Sequence, residues 1–153
     1  MLKNLLEEKE RLYLKEGSIL NIDFPNNSIG AIHIVRVIYF LNPKEIEKFF
    51  DNCYKWLISK GRIYLSTMSQ YHYGNSKDFY IKYNENLKNE LSFLGEINNY
   101  QFKNESYYLH AIDPFVLCNI AQNFNFTVKK VELWGGDNDD DYICAILIKD
   151  YHH

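Results

Sequence analysis

The sequence is poor in the residues that mark several large classes of protein. Among 153 residues there are only 3 Cys, 3 Pro and 7 Gly. Cys53, Cys118 and Cys144 stand singly, without the paired spacing of a zinc site or a disulfide framework. We therefore expect reduced, buried thiols. The formal net charge of −3 provides no excess positive charge to hold phosphate backbones, so nucleic acid is not the expected partner.

No apolar stretch has the length that is needed to cross a bilayer. The longest, AIHIVRVIYFL at 31–41, is interrupted by His33 and Arg36. Residues 1–17, MLKNLLEEKERLYLKEG, lack the apolar centre of a secretory signal. These absences predict a cytoplasmic protein without a membrane partner.

What the sequence does contain is enough apolar material for one compact core. Its 46% hydrophobic residues include 13 Tyr and 10 Phe. A chain of this length suits one domain better than two, so we expect a single domain over residues 1–153.

Local patterns predict an alternation of strands and helices. A short helix at 2–10 and a strand at 11–14 are followed by a loop with Pro25 and Ser28. The run 29–41 is nearly continuous in apolar and β-branched residues, which is typical of a parallel strand covered on both faces. Asn42, Pro43 and Glu45 form a helix start, and the apolar stripe that follows predicts a helix ending at Gly61.

The second half predicts another strand, an insertion and a closing hairpin. GRIYLSTMS at 61–69 reads as a strand parallel to the first, across the helix that joins them. Between about 70 and 108 the pattern loosens, which indicates an inserted cap or lid with a helix near 77–93. A helix is expected from Pro114, and strands at 126–134 and 142–149 form an antiparallel hairpin.

These elements, in this order, resemble the class I S-adenosylmethionine-dependent methyltransferases. Three segments are similar to sequence patterns of this family: EGSILNIDFPNNSIGAIHIVRVIYFLNPKEIEKFF, SKGRIYLST and DPFVLCNIAQNFNFTVKKVE. The likeness covers roughly residues 10–66 and 107–149. It implies an α/β fold with a truncated Rossmann-like sheet, parallel strands, a C-terminal antiparallel hairpin and an inserted cap. It also implies methyl transfer from S-adenosylmethionine to a small-molecule acceptor.

The resemblance also implies which residues would form the site. The cofactor would contact Ser18 and Ile19 in the first turn, and Arg36 and Val37 toward the end of the long strand. The acceptor would contact Tyr39, Tyr71 and His72. Ser18 stands where the family usually has Asp, and Gly30 stands where Asp commonly opens the strand.

Other family features have no counterpart in the chain. The glycine-rich turn after the family's first strand and the acidic residue that binds the ribose are absent. In the family's strand order, this leaves one side of the 31–38 strand bare. We expect the strand at 11–14, a second copy of the chain or a completing partner chain to cover it, or the protein to be a remnant of a longer gene. The alternative function is a non-catalytic binding or dimerisation module.

The remaining polar residues allow more than one interpretation. His33 is predicted to be a core histidine rather than a base. Arg36 and Tyr39 either face a ligand at the end of their strand, or Arg36 pairs with a carboxylate and Tyr39 packs. Asp137, Asp139 and Asp141 alternate as in a calcium loop. Tyr142 and Ile148 occupy its glycine and glutamate positions, however, so we predict a solvated turn and no metal site.

Overall fold

The computed structural model describes residues 14–41, 43–69, 95–102, 105–111, 114–135 and 142–150. The side chains of residues 95–111 and of Pro43, Phe115 and Val116 are outside this description. The elements follow the chain as β1 (Ile29–Val35), a 3₁₀ helix (Ile38–Phe40), α1 (Pro43–Trp56), β2 (Leu57–Met68), β3 (Gly95–Phe102), β4 (Glu105–Ala111), α2 (Pro114–Asn123), β5 (Phe126–Trp134) and β6 (Tyr142–Lys149).

Four of the strands form the main sheet, in the order β1-β2-β6-β5. β1 and β2 are parallel and are joined through α1, whereas β2 with β6 and β5 with β6 are antiparallel. The predicted parallel pair and C-terminal hairpin are thus confirmed. β3 and β4 form a separate antiparallel pair. Neither helix of the described part is long and apolar enough to span a membrane.

The core lies between one face of the main sheet and the apolar faces of α1 and α2. On α1, the predicted stripe is confirmed. Alternating side chains of β2 and β6 reach the same cluster, because successive residues of a strand point to opposite faces. The fully buried members include Ile46, Phe49, Phe50, Cys53, Leu57, Ile63, Leu117, Ala121, Ile143 and Leu147.

The opposite face of the sheet is open in the described part of the chain. In β1, only Ile34 is buried, whereas Ala31, His33 and Val35 are exposed. The expectation of a strand covered on both faces is therefore wrong. The apolar sequence of β1 reflects one packed face and one open face, and His33 is not a core histidine.

The first strand also ends earlier than the apolar run predicts. Arg36 adopts a left-handed conformation with φ of 57°, which is uncommon for a residue with a side chain. Its N–H donates to the carbonyl of Ser66 at 2.9 Å, and the chain then turns into the 3₁₀ helix. Ile38 and Leu41 are buried beyond the turn. The run is apolar because the turn also packs on the core, so periodicity alone could not locate its end.

The first helix begins at Pro43 as predicted, but it ends at Trp56 rather than at Gly61. Its last carbonyls find partners outside the helix: the N–H of Asn27 donates to Lys55 at 2.9 Å, and the N–H of Ser28 donates to Trp56 at 2.8 Å. These bonds satisfy groups that a helix end leaves open. The chain therefore enters β2 at Leu57, four residues before Gly61.

Lys149, the last residue of β6, also contacts the segment where α1 passes into β2. Its Nζ donates to the carbonyl of Leu57 at 2.7 Å and to Oδ1 of Asn27 at 3.0 Å, and it lies 4.4 Å from the ring centroid of Tyr54. Burial lowers the pKa of this ammonium below its ordinary value. The contacts join the loop before β1, the end of α1 and the end of β6.

The inserted region contains a hairpin that the sequence pattern did not predict. β3 begins at Gly95 and pairs with β4, which lies beside the 3₁₀ helix. The pairing shifts register between Ile97 and Tyr100, and such a break obscures the alternation by which strands are predicted. The helices predicted near 77–93 and at 2–10 lie outside the described residues, as does most of the strand at 11–14.

Two glycines of the sheet provide a matched test of this packing. A Cβ at Gly61 would lie 2.8 Å from the carbonyl oxygen of Ile58 and 3.0 Å from Cδ2 of Leu57, whereas a Cβ at Gly30 would meet nothing within 4 Å. We expect Gly61→Ala to lower the free energy of unfolding by about 1–3 kcal/mol. Gly30→Ala should change it by less than about 0.5 kcal/mol. Urea unfolding measures both, and equal effects would contradict the described backbone at Gly61.

The reactivity of two cysteines can show which face of the sheet is covered. Cys53 is fully buried, and its burial raises the pKa of its thiol, whereas Cys144 is half-buried on the open face. We expect iodoacetamide to alkylate Cys144 at least about tenfold faster than Cys53, because the reacting species is the thiolate. Peptide mass spectrometry on the folded protein measures both rates. A faster reaction at Cys53 would place α1 away from the core.

Candidate functional site

Three segments of the chain meet at one edge of the main sheet. The parallel pairing places Val35 beside Ser66, so β1 and β2 end together. β6 runs antiparallel to β2, and Tyr142, its first residue, pairs with Met68. Ligands of open α/β sheets bind beyond the carboxyl ends of the strands. This edge, with Arg36, Tyr39 and Tyr142, is the candidate site.

Arg36 is held over an aromatic ring at this edge. Its guanidinium carbon lies 4.4 Å from the centroid of the Tyr142 ring, a cation–π contact. The side chain is exposed, and no described carboxylate forms an ion pair with it. The expectation of an arginine paired with a carboxylate is therefore not met in the described part of the chain. The planar group presents N–H donors that suit a carboxylate or a phosphate.

Tyr39 lies in the 3₁₀ helix beside Arg36 and is half-buried, with its ring centroid 4.4 Å from that of Phe40. Its pKa is raised, chiefly by burial and then by the nearby Tyr142, while the positive charge of Arg36 opposes the rise. The phenol is therefore protonated at neutral pH. Tyr39 can donate a hydrogen bond there, but it is poorly suited to act as a base.

Ser18 closes a turn ahead of the sheet. Its carbonyl accepts hydrogen bonds from the N–H groups of Asn21 and Ile22, both at 2.9 Å. Its Oγ accepts a weaker bond from the N–H of Leu20 at 3.3 Å. The exposed hydroxyl still has its own proton to donate.

Ile19 and Val37 are half-buried and pack against the same core cluster. Apolar side chains of this kind can pack on a flat ring such as adenine, and a serine hydroxyl can hydrogen-bond to its polar edge. The segments 17–20 and 36–41 contain no Asp or Glu that could bind ribose hydroxyls.

The structure thus brings together some of the predicted site residues. Arg36 and Tyr39 interact electrostatically and share Tyr142 as a neighbour. Ser18 and Ile19 occupy their own turn. Tyr71 and His72, the predicted acceptor residues, lie outside the described part of the chain.

Sequence reasoning missed Tyr142, which it had considered only as a position in an acidic loop. The available signal was topological, because a hairpin strand antiparallel to β2 must begin at the edge where β2 ends.

Thr67 and Ser69 near the end of β2 are also fully buried. Thr67 Oγ1 has no hydrogen-bond partner among the described residues.

His33 lies on the open face rather than at this edge. Its ring stacks on Tyr64 with centroids 4.6 Å apart. The pair lines a shallow groove of about 230 Å³ with Ser66, Lys130, Glu132 and Cys144. No cluster of three or more His, Cys, Asp or Glu residues is placed to hold a metal within the ranges described. The loop with Asp137, Asp139 and Asp141 falls outside them.

Comparisons with known proteins bear on this geometry. No protein-family model and no curated protein sequence matches the chain. Among solved structures, the 1,6-didemethyltoxoflavin-N1-methyltransferase of Burkholderia thailandensis, with 1,6-didemethyltoxoflavin and S-adenosylhomocysteine bound, matches with a TM-score of 0.70 and 10% identity. That match covers 98% of this chain and 56% of the other.

Two further structures agree with it. An S-adenosylmethionine-dependent methyltransferase of Methanosarcina mazei matches with a TM-score of 0.65 and 12% identity, covering 90% of this chain and 67% of that one. One from Mesorhizobium loti matches with a TM-score of 0.58 and 9% identity, covering 88% and 68%. The chain has a class I methyltransferase-like fold. It spans from 56% to 68% of the lengths of these three proteins.

The electrostatic arrangement of this methyltransferase-like edge can be tested at Tyr39. We expect its pKa to lie above the ordinary value of about 10. It should fall in Tyr142→Phe, which removes a second ionisable phenol, and rise further in Arg36→Gln, which removes a positive charge. Alkaline titration of ¹³C-labelled tyrosine rings by NMR measures each shift. Shifts of the Tyr39 pKa in the opposite directions would show that Tyr39, Tyr142 and Arg36 are not neighbours.

Proposed function

We propose that the chain takes part in methyl transfer from S-adenosylmethionine to a small-molecule acceptor at the edge formed by Arg36, Tyr39 and Tyr142. The observation that carries this proposal is the meeting of these three residues at the carboxyl edge of a methyltransferase-like sheet. The two molecules bound to the 1,6-didemethyltoxoflavin-N1-methyltransferase, 1,6-didemethyltoxoflavin and S-adenosylhomocysteine, support the proposed ligand classes.

When bound, S-adenosylmethionine supplies an electrophilic methyl group, so the protein mainly has to align the acceptor and exclude water. Ile19 and Val37 would hold the adenine ring from its apolar side, and Ser18 Oγ would accept a hydrogen bond from the adenine amino group through its second lone pair. Arg36 would orient an anionic group of the acceptor or of the cofactor. Tyr39, protonated at neutral pH, would donate a hydrogen bond to the acceptor rather than remove its proton.

A specific observation favours a second candidate, a non-catalytic methyltransferase-like module. The Ser18 hydroxyl already accepts a bond within its own turn, and the segments 17–20 and 36–41 carry no carboxylate. A chain with weak nucleoside contacts would retain the fold as a binding or dimerisation surface.

Calorimetric titration with S-adenosylhomocysteine separates the two candidates. Methyl transfer requires saturable binding, which we expect with a Kd on the order of 10–100 µM. Ser18→Asp should tighten it about threefold to tenfold, because a hydrogen bond to a charged acceptor is stronger than one to a hydroxyl. Ser59→Asp adds the same charge at an exposed position of β2 and should leave the affinity unchanged.

The same titration can reject the proposal. If S-adenosylhomocysteine gives no heat at about 1 mM with either the wild type or Ser18→Asp, the chain does not bind the cofactor by itself, and the module is favoured. If both Asp variants change the affinity equally, the effect is one of overall charge, and the assignment of Ser18 fails.

A further inference from the structure

The outer edge of β1 offers unpaired backbone groups. The N–H of Arg36 points toward β2, where it donates to Ser66. Backbone groups alternate in direction along a strand, so those of Ala31, His33 and Val35 point away from β2. β1 is the terminal strand of the main sheet, and these groups have no partner in the described part of the chain. Such a row of donors and acceptors is a template for another strand.

The other terminal strand, β5, is protected against such pairing. It carries Lys129, Lys130 and Glu132, all exposed, and its pairing with β6 shifts register between Val128 and Lys130. Charged side chains and bulges are the usual devices that keep an edge from associating. β1 has neither charge nor proline, and its register is regular from Ala31 to Val35. Val35 is 61% exposed.

We propose that the outer edge of β1 binds β1 of a second copy of this chain, antiparallel, with the two-fold axis at His33. In this register, Ala31 lies opposite Val35 of the second copy, and the two His33 residues face each other. All outward-pointing residues fall in hydrogen-bonded pairs, and each pair exchanges two bonds. Because β1 carries no charged residue, pairing two copies of it brings no like charges together. Pairing two copies of β5, which carries charged residues, would.

The register is self-complementary, because Ala31, His33 and Val35 of each chain pair with the same three residues of the other. Small Ala31 leaves room for the exposed side chain of Val35, so both lie in the new interface. A two-fold contact of this kind uses the edge completely and stops at two chains. The result is one continuous sheet through both copies. It leaves the Arg36 sites at opposite ends of the shared strand pair, and the proposal does not depend on methyl transfer.

Amide hydrogen exchange, followed by NMR on the full-length wild-type chain, tests the proposal directly. The outward amides of Ala31, His33 and Val35 should be protected at least about tenfold more at about 500 µM than at about 5 µM, as the dimer forms. Ile32 and Ile34, whose groups face β2, should show no such dependence. Protection of the outward amides at every concentration in a chain that sediments as a monomer would show that the chain itself covers the edge, and absence of protection at about 500 µM would show that nothing does. Either result overturns the proposal.

A pair of variants tests the register. His33→Glu places two carboxylates directly opposite each other, and like charges in that position are destabilising. Sedimentation velocity should show its dimer weakened by at least about tenfold, while Gln122→Glu, with the same added charge on α2, dimerises like the wild type. Melting temperatures within about 3 °C of the wild type confirm the fold. A His33→Glu dimer as strong as the wild type would place the contact elsewhere and refute the β1 interface.

Discussion

The parallel pairing of β1 with β2 is the constraint on which the rest of the structure depends. It aligns the ends of the two strands, and its last hydrogen bond, from Arg36 to Ser66, coincides with the left-handed turn that directs the chain into the 3₁₀ helix. A parallel pair needs a crossover, which α1 supplies, and α1 covers one face of the sheet. One pairing therefore determines the covered face, the position of Arg36 and the direction of the outer edge of β1.

The same arrangement separates stability from ligand contact. The apolar side chains of α1, α2, β2 and β6 form the core, and Lys149 joins the loop before β1 to the far end of that core. Arg36, Tyr39 and Tyr142 lie at the opposite end of the strands, where Arg36 is exposed and the two tyrosines are half-buried. Their chemistry can vary there with limited effect on the fold, because sites on α/β sheets are built on the strand ends.

The open face and the open edge of β1 raise the same physical question. A half-exposed sheet face with the stacked pair His33 and Tyr64 is compatible with water, since polar groups are mixed into it. Outward-pointing backbone groups can also be hydrated, but they remain able to bind a strand. The contrast between charged, bulged β5 and uncharged β1 suggests that the two edges of this sheet have different roles.

The sequence by itself determined the element types where a pattern was local. Pro43 and Glu45 marked the start of α1, its stripe marked the buried face, and alternation marked β5 and β6. Tertiary structure alone decided where β1 and α1 end, because those ends are fixed by partners distant in sequence: Ser66 for Arg36, and Asn27, Ser28 and Lys149 for the end of α1. It also decided that Tyr142 joins Arg36 and Tyr39, and that His33 lies on an open face. A residue's own neighbours in the chain cannot specify which strand lies beside it.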